Sequence, residues 1–440
     1  MAIKDESTGA PAVAVAPRLL PQKRRGLGRR LWPYLLALGP GIIAANAGND
    51  AGGIATYASA GASYGYLFLW VMVVITVCLI VVQELCARLG AITGKGFSDL
   101  VRENFSLRMT AFILMSVVIA NLGLIVSEFL GIAAAAELFG ISRFLAVPVA
   151  AILVWLLITR GSYGRVEKIF LTLTLVFFAY IGAAFLARPN WHAALIGTVI
   201  PTVRWTPGYI ELLIALIGTT ITPYMQLYIQ SSVIERGVTA DELRYTRFDV
   251  IAGALFSDLI SGFIIIATAA TLFPRGIAIK TAADAAQALQ PIAGQYAQLL
   301  FGVGLLGASL LAAGVLPLST TYVLSEALGF ERGVSRSWRE APIFLGLFTV
   351  FTALGAVVAL LPNLPIIPVL LGVQVLNGLL LPIELFAILR LINNRELMGQ
   401  YVTKGLYKGF AWSIAIVVSL LSLTLIGVTI LGWFGVNFGS

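Results

Sequence analysis

The chain has 440 residues, 59% hydrophobic and only 11% charged, with 29 Lys and Arg against 21 Asp and Glu. Soluble domains carry roughly 25% charged residues, so this surface cannot be coated for water and belongs in lipid. The two cysteines, Cys78 and Cys86, share one apolar run and exclude a disulfide framework, and the single histidine, His192, excludes His-cluster metal sites and hydrolytic triads.

In chain order, residues 1–30 read as a disordered basic cytoplasmic tail. Its cluster Lys23, Arg24, Arg25, Arg29 and Arg30 follows the short Ala/Val stretch, whereas a secretory signal places its charges first. A membrane-crossing helix needs about 20 mostly apolar residues. Spans are therefore expected near 33–59, 64–88, 109–138, 144–160, 167–187, 208–234, 248–273, 294–327, 341–361, 364–392 and 407–435. Residues 31–440 thus read as a single all-α polytopic membrane domain of about eleven helices. Basic residues favour cytoplasmic loops. With the N-terminus inside, only Arg143, Arg188, Arg204, Arg275 and Lys280 fall on outer segments, and the C-terminus lies outside. The basic surplus sets topology and calls for no nucleic-acid partner. A bacterial inner membrane is the expected location, and a monomer in the bilayer the expected unit.

Two of these spans are interrupted. The first holds Gly39-Pro40-Gly41 and then Asn46-Ala47-Gly48-Asn49-Asp50-Ala51-Gly52-Gly53, and the sixth holds Gly218-Thr219-Thr220-Ile221-Thr222-Pro223-Tyr224. A charge at mid-bilayer costs about 2.5–3.5 kcal/mol or more, and non-helical backbone is tolerated there only when buried or lining a cavity. Spans one and six are five helices apart, so an odd repeat of five would insert its second copy upside down. The expected repeats are about 33–187 and about 208–392, with an extra helix at about 407–435. Matching breaks in two halves point to a transporter with a mid-membrane site. Asp50 is the one carboxylate in either break.

At these residues the sequence resembles the Nramp family of divalent-metal transporters. GPGIIAANAGNDAGGIAT from Gly39 matches the family's GP…DPGN…AT pattern without a gap. The following AGASYGY, ARLGAITGK, GTTITPY and NNRELMG match further motifs in order up to about Val402. The resemblance implies a metal site between broken helices one and six. It places the family's Asp on Asp50, its Asn on Gly53, its carbonyl position on Ala47, its Ala on Thr219, its Met on Thr222 and its Gln on Gln374. Asn49, just before Asp50, is the neighbour expected to compensate in part for the amide missing at Gly53. The thioether is thus lost, and an all-oxygen site remains, which suits Mg²⁺ and Mn²⁺ over softer ions. These departures resemble the Nramp-related magnesium transporters, with Al³⁺ a minor alternative. The family's proton route is also depleted. Tyr224 replaces a histidine and Ile125 an aspartate, while Glu128 retains the family's glutamate, so uncoupled transport is expected.

Outside the motifs, Glu84 at (i, i+4) from Arg88 suits an ion pair. Glu211 and Glu326 are expected at helix ends near the interface, and Asp258 and Glu384 lie deep enough to line a cation pathway. No nucleotide loop or nucleophile–base pair is present, so neither cofactor nor enzymatic step is expected. The rival functions are a proton-coupled Mn²⁺/Fe²⁺ transporter, an organic-solute symporter on the same fold, and a receptor that has lost transport.

Overall fold

A backbone surrounded by lipid must satisfy its own hydrogen bonds, and helices do so within each segment. The computed structural model describes residues 48–160, 172, 178–287, 294, 297–331, 333 and 336–433, and every regular element among them is helical. In chain order the principal helices are α1 (Ala51–Tyr64), α2 (Leu69–Thr93), α3 (Phe97–Asn104), α4 (Leu107–Leu138), α5 (Arg143–Arg160), α6 (Phe178–Leu186) and α7 (Trp191–Val199). Then come α8 (Pro207–Thr220), α9 (Pro223–Glu235), α10 (Leu243–Thr271), α11 (Ala282–Ala286), α12 (Ala297–Leu328), α13 (Pro342–Ala359), α14 (Ile366–Ile392), α15 (Arg395–Met398) and α16 (Gly405–Trp433).

Among the described residues, nine helical runs are long and apolar enough to cross a membrane. The expected count was eleven, and two differences account for the gap. The second part of span one joins span two through a 3₁₀ turn at Gly65–Phe68, giving one run over Ala51–Thr93. Residues 167–171 and 173–177 of span five, the basic tail and the first part of span one lie outside the described residues. The other spans fall within a few residues of their expected bounds.

Proline and glycine place the joints. Pro207, Pro223 and Pro342 each open a helix, where a missing N–H costs nothing. Pro382 lies inside α14 and cannot donate to the carbonyl of Gly378 one turn earlier. Ser422 of α16 supplies that bond instead, Oγ to O at 3.1 Å. Gly378 also lets α8 come close. A Cβ on Gly218 would meet the backbone of Gln374 and Gly378, so the two helices cross almost backbone to backbone, as small residues allow in membranes.

The centre of the bundle is α1, α8 and α9, with α2, α4, α10, α12 and α14 packed around them. Both α8 and α9 are almost wholly buried, whereas α5 and α16 turn Phe144, Leu145, Leu406 and Leu423 outward, as lipid-facing helices do. Each break in the central helices therefore lies where protein, not lipid, surrounds it.

Candidate cation site

The first break is built by Asn49 and Asp50, just ahead of α1. Asp50 has extended backbone (φ −67°, ψ 179°) and N-caps the helix, its Oδ1 accepting from the Gly53 N–H at 2.5 Å. The next free N–H, that of Ala51, donates to Glu128 Oε2 of α4 at 3.3 Å. Two acids thus converge on one helix N-terminus. That end carries partial positive charge, but a single helix end does not neutralise two carboxylates.

Gln374 of α14 reaches the same carboxylate, Nε2 to Asp50 Oδ1 at 3.3 Å, and its own carbonyl accepts from Asn377 Nδ2 at 3.1 Å. Asp50 Oδ2, Glu128 Oε1 and the hydroxyls of Thr219 and Thr222 have no hydrogen-bond partner among the described residues, although all four residues are fully buried. Unsatisfied buried oxygens cost about 1–3 kcal/mol each, so four in one region are unusual for a merely structural joint.

The second break lies between α8 and α9. Ile221 ends one helix, and Thr222 (φ −73°, ψ 145°) precedes Pro223, which opens the next. Here the threonines divide by role. Thr220 is engaged, donating to Leu216 O at 2.8 Å and pairing with the Tyr57 hydroxyl at 2.9 Å. Thr219 and Thr222, on either side of it, are the two without partners.

Gly53 shapes the space between the breaks. A Cβ there would approach Thr219 Oγ1 to 3.0 Å and Asp50 Oδ1 to 3.2 Å, and would press on the Gly48 carbonyl. A side chain at position 53 would therefore point into the site. Glycine leaves that volume open and contributes only its N–H. Ala47 lies outside the described residues.

The remaining candidates divide. Tyr224, fully buried in the first turn of α9, is within electrostatic reach of Asp50 and Glu128, and its backbone carbonyl accepts from Ser319. Asn49 turns away from the site. Its Nδ2 donates to Ser257 Oγ and O (2.9 and 3.2 Å), and its Oδ1 accepts from Ser261 Oγ at 2.7 Å, all on α10. The amide is used up by this clasp and does not replace the one missing at Gly53. Asp258, on the same helix, faces Thr76 of α2 and has one carboxylate oxygen unpartnered. Ile125, fully buried, packs against Gly355 of α13 rather than entering the site.

Two acids outside the site are settled by their partners. Glu84 forms the expected pair with Arg88 and is bonded by Arg247 and Tyr407 as well. Glu326 is not at an interface: it is buried, lies against Gly96, and accepts from the Ser98 N–H at the start of α3. Nothing in the local sequence around Glu326 announces this. The serine ladder of α10, Ser257 and Ser261 at (i, i+4), was the readable sign of a partner for Asn49.

The family model described as natural resistance-associated macrophage protein-like (Nramp) matches residues 41–427. The chain belongs to the Nramp family. A protein named divalent metal cation transporter MntH 1 from Pseudomonas aeruginosa is 30% identical over 428 residues, covering 91% of this chain and 92% of that one. MntH of Deinococcus radiodurans is 29% identical over 408 residues, 90% and 89% of the two chains. Among solved structures, a manganese transporter from Eremococcus coleocola superposes with a TM-score of 0.74 at 20% identity, over 95% of this chain and 91% of that one. Mhp1, a nucleobase-cation-symport-1 family transporter, is similar at 0.57 with 14% identity, over 88% and 90%. Those likenesses concern the fold. The Nramp chain has the inverted-repeat transporter architecture.

Proposed function

We propose that this chain carries divalent metal cations, Mn²⁺ and Mg²⁺ foremost, across a bacterial inner membrane by alternating access and without coupling to protons. The observation that carries this reading is the set of unpartnered buried oxygens between the two breaks, from Asp50, Thr219 and Thr222, with the Gln374 side chain beside them. The set is wholly oxygen and nitrogen, with no thioether. Such ligands suit Mg²⁺ and Mn²⁺, and Mg²⁺ keeps several waters, for which the space left by Gly53 provides room. Membership in a family whose relatives are named divalent metal cation transporters supports the cargo class.

In this reading Asp50 supplies the charge and Thr219, Thr222 and Gln374 supply neutral ligands, directly or through water, together with the Ala47 carbonyl. The two repeats, about 33–187 and 208–392, form one transmembrane unit after the basic tail, with the N-terminus cytoplasmic and the C-terminus outside. Rocking of one bundle against the other exposes the site alternately. No reaction is catalysed and no cofactor is required.

A second reading, proton-coupled Mn²⁺ or Fe²⁺ transport, is favoured by one observation: Glu128 stands one N–H away from Asp50 with an oxygen free. An organic-solute symporter is disfavoured, because an anionic substrate carboxylate would meet two acids. Reconstitution into proteoliposomes decides among these. Mn²⁺ entry with Mg²⁺ competing and a constant internal pH is expected. Internal acidification proportional to Mn²⁺ uptake would establish the coupled reading instead, and no divalent uptake at all would defeat both.

A further inference from the structure

The polar interior does not end at the two breaks. On α9, Gln226 lies one turn past Thr222, fully buried, with neither its amide oxygen nor its nitrogen hydrogen-bonded among the described residues. Residues four apart share a helix face and lie about 6 Å apart along the axis. A further turn on, Gln230 donates to the Lys95 carbonyl at 2.9 Å. At Gly90 of α2, a Cβ would come within 2.9 Å of the Gln230 carbonyl. The C-terminal ends of α2 and α9 therefore lie together and the helices run the same way. One turn back, that register brings Cys86 of α2 level with Gln226. Gln83, three residues before Cys86, is also fully buried with both amide atoms unpartnered.

A carboxylate closes this row. Glu384 of α14 is 1% exposed, neither of its oxygens has a partner among the described residues, and it stands within electrostatic reach of Cys86. It lies ten residues, or about 15 Å along the helix, past Gln374. That is towards the end of the bundle where Arg88 meets Tyr401 and Asn394 meets Asn104, the end that the basic residues make cytoplasmic. An intramembrane acid that serves structure has its partner beside it, as Glu84 does.

We propose that Glu384 is a second cation-holding residue, an inner station where a hydrated divalent ion leaving Asp50 rests, with the Gln226 and Gln83 amides as neutral ligands on the way. The inference rests on the transport reading above. It assigns the inner half of the ion's route to the face between α2, α9 and α14.

The test uses the full-length chain in proteoliposomes, on a Cys78→Ala background so that Cys86 is the one thiol. Three variants are compared: the parent, Glu384→Gln and Glu384→Asp. Cys86 is labelled with a cationic methanethiosulfonate and, separately, a neutral one. Acidic clefts concentrate counter-ions by about ten-fold or more, so the ratio of cationic to neutral labelling should fall about ten-fold in Glu384→Gln and recover in Glu384→Asp. Mn²⁺ uptake should fall by about the same factor in Glu384→Gln, while calorimetric Mn²⁺ affinity at the Asp50 site is kept. Unchanged uptake in Glu384→Gln, or an unchanged labelling ratio, overturns the proposal. A parent that carries no Mn²⁺ defeats the transport reading separately, and the labelling ratio alone then decides whether Glu384 draws cations.

Discussion

Glu84 and Asp50 are both carboxylates buried in a helical bundle, and their surroundings are opposites. Glu84 accepts from Arg88 Nε and Nη2 at 3.1 and 2.5 Å, from Arg247 Nε at 2.7 Å and from the Tyr407 hydroxyl at 2.8 Å. Its charge is balanced by Arg88 of α2 and Arg247 of α10, and the Arg88 guanidinium also lies over the Tyr407 ring. Among the described residues no cation stands near Asp50. One of its oxygens is held by a helix N–H and an amide, and the other by nothing among the described residues. A carboxylate whose countercharge is protein fixes helices to one another. One left without a countercharge fits the proposed role of holding a cation.

The contrast can be broken most sharply at Asp50. Asp50→Ala is expected to abolish Mn²⁺ binding in calorimetry while the detergent-solubilised protein still unfolds cooperatively, because removing an unbalanced charge leaves no other charge stranded. Intact Mn²⁺ affinity would remove the site from this break. Glu84→Ala should do the reverse. It strands Arg88, and breaking a buried pair costs about 3–5 kcal/mol, so thermal stability should fall well below that of Asp50→Ala while the folded fraction still binds Mn²⁺.

A smaller effect is expected at Asn49. Asn49→Ala leaves Ser261 and Ser257 with lost partners, a cost of about 1–3 kcal/mol, and should slow Mn²⁺ uptake more than it weakens equilibrium binding. Weaker binding with an unchanged rate would make Asn49 a ligand after all. The smallest change concerns selectivity. Thr222→Met introduces a soft ligand and should tilt competition against Mn²⁺ uptake towards Cd²⁺ and away from Mg²⁺. Equal Mg²⁺ competition before and after would show that this position does not set preference. Gly53→Asn is the cruder probe, since its Cβ already presses on the Gly48 carbonyl.

Much of this was legible in the chain. Gly and Pro in spans one and six, with Asn in span one, marked the breaks, because Gly removes a side chain, Pro a helical hydrogen bond, and an Asn side chain competes for backbone groups. The Glu84–Arg88 spacing announced its pair. What sequence spacing did not carry was direction. Asn49 stands beside Asp50 in the chain, yet its amide faces α10, because extended backbone at a helix cap sends neighbouring side chains apart. Glu326 looked peripheral from its place late in a long helix, and the packing of α3 across it buries it. Thr220 and Thr219 are adjacent and chemically identical, and it is the bonds of Thr220 to the Tyr57 hydroxyl and the Leu216 carbonyl that tell them apart.

The Asn49 clasp has a mechanical corollary. With both ends of its amide fastened to α10, the turn that presents Asp50 is riveted to that helix and cannot swing independently of it. The link from the same carboxylate to α14 is a single 3.3 Å contact through Gln374. On the proposed alternating-access reading, three hydrogen bonds on one side against one on the other would make α1 travel with α10 and part from α14 at Gln374.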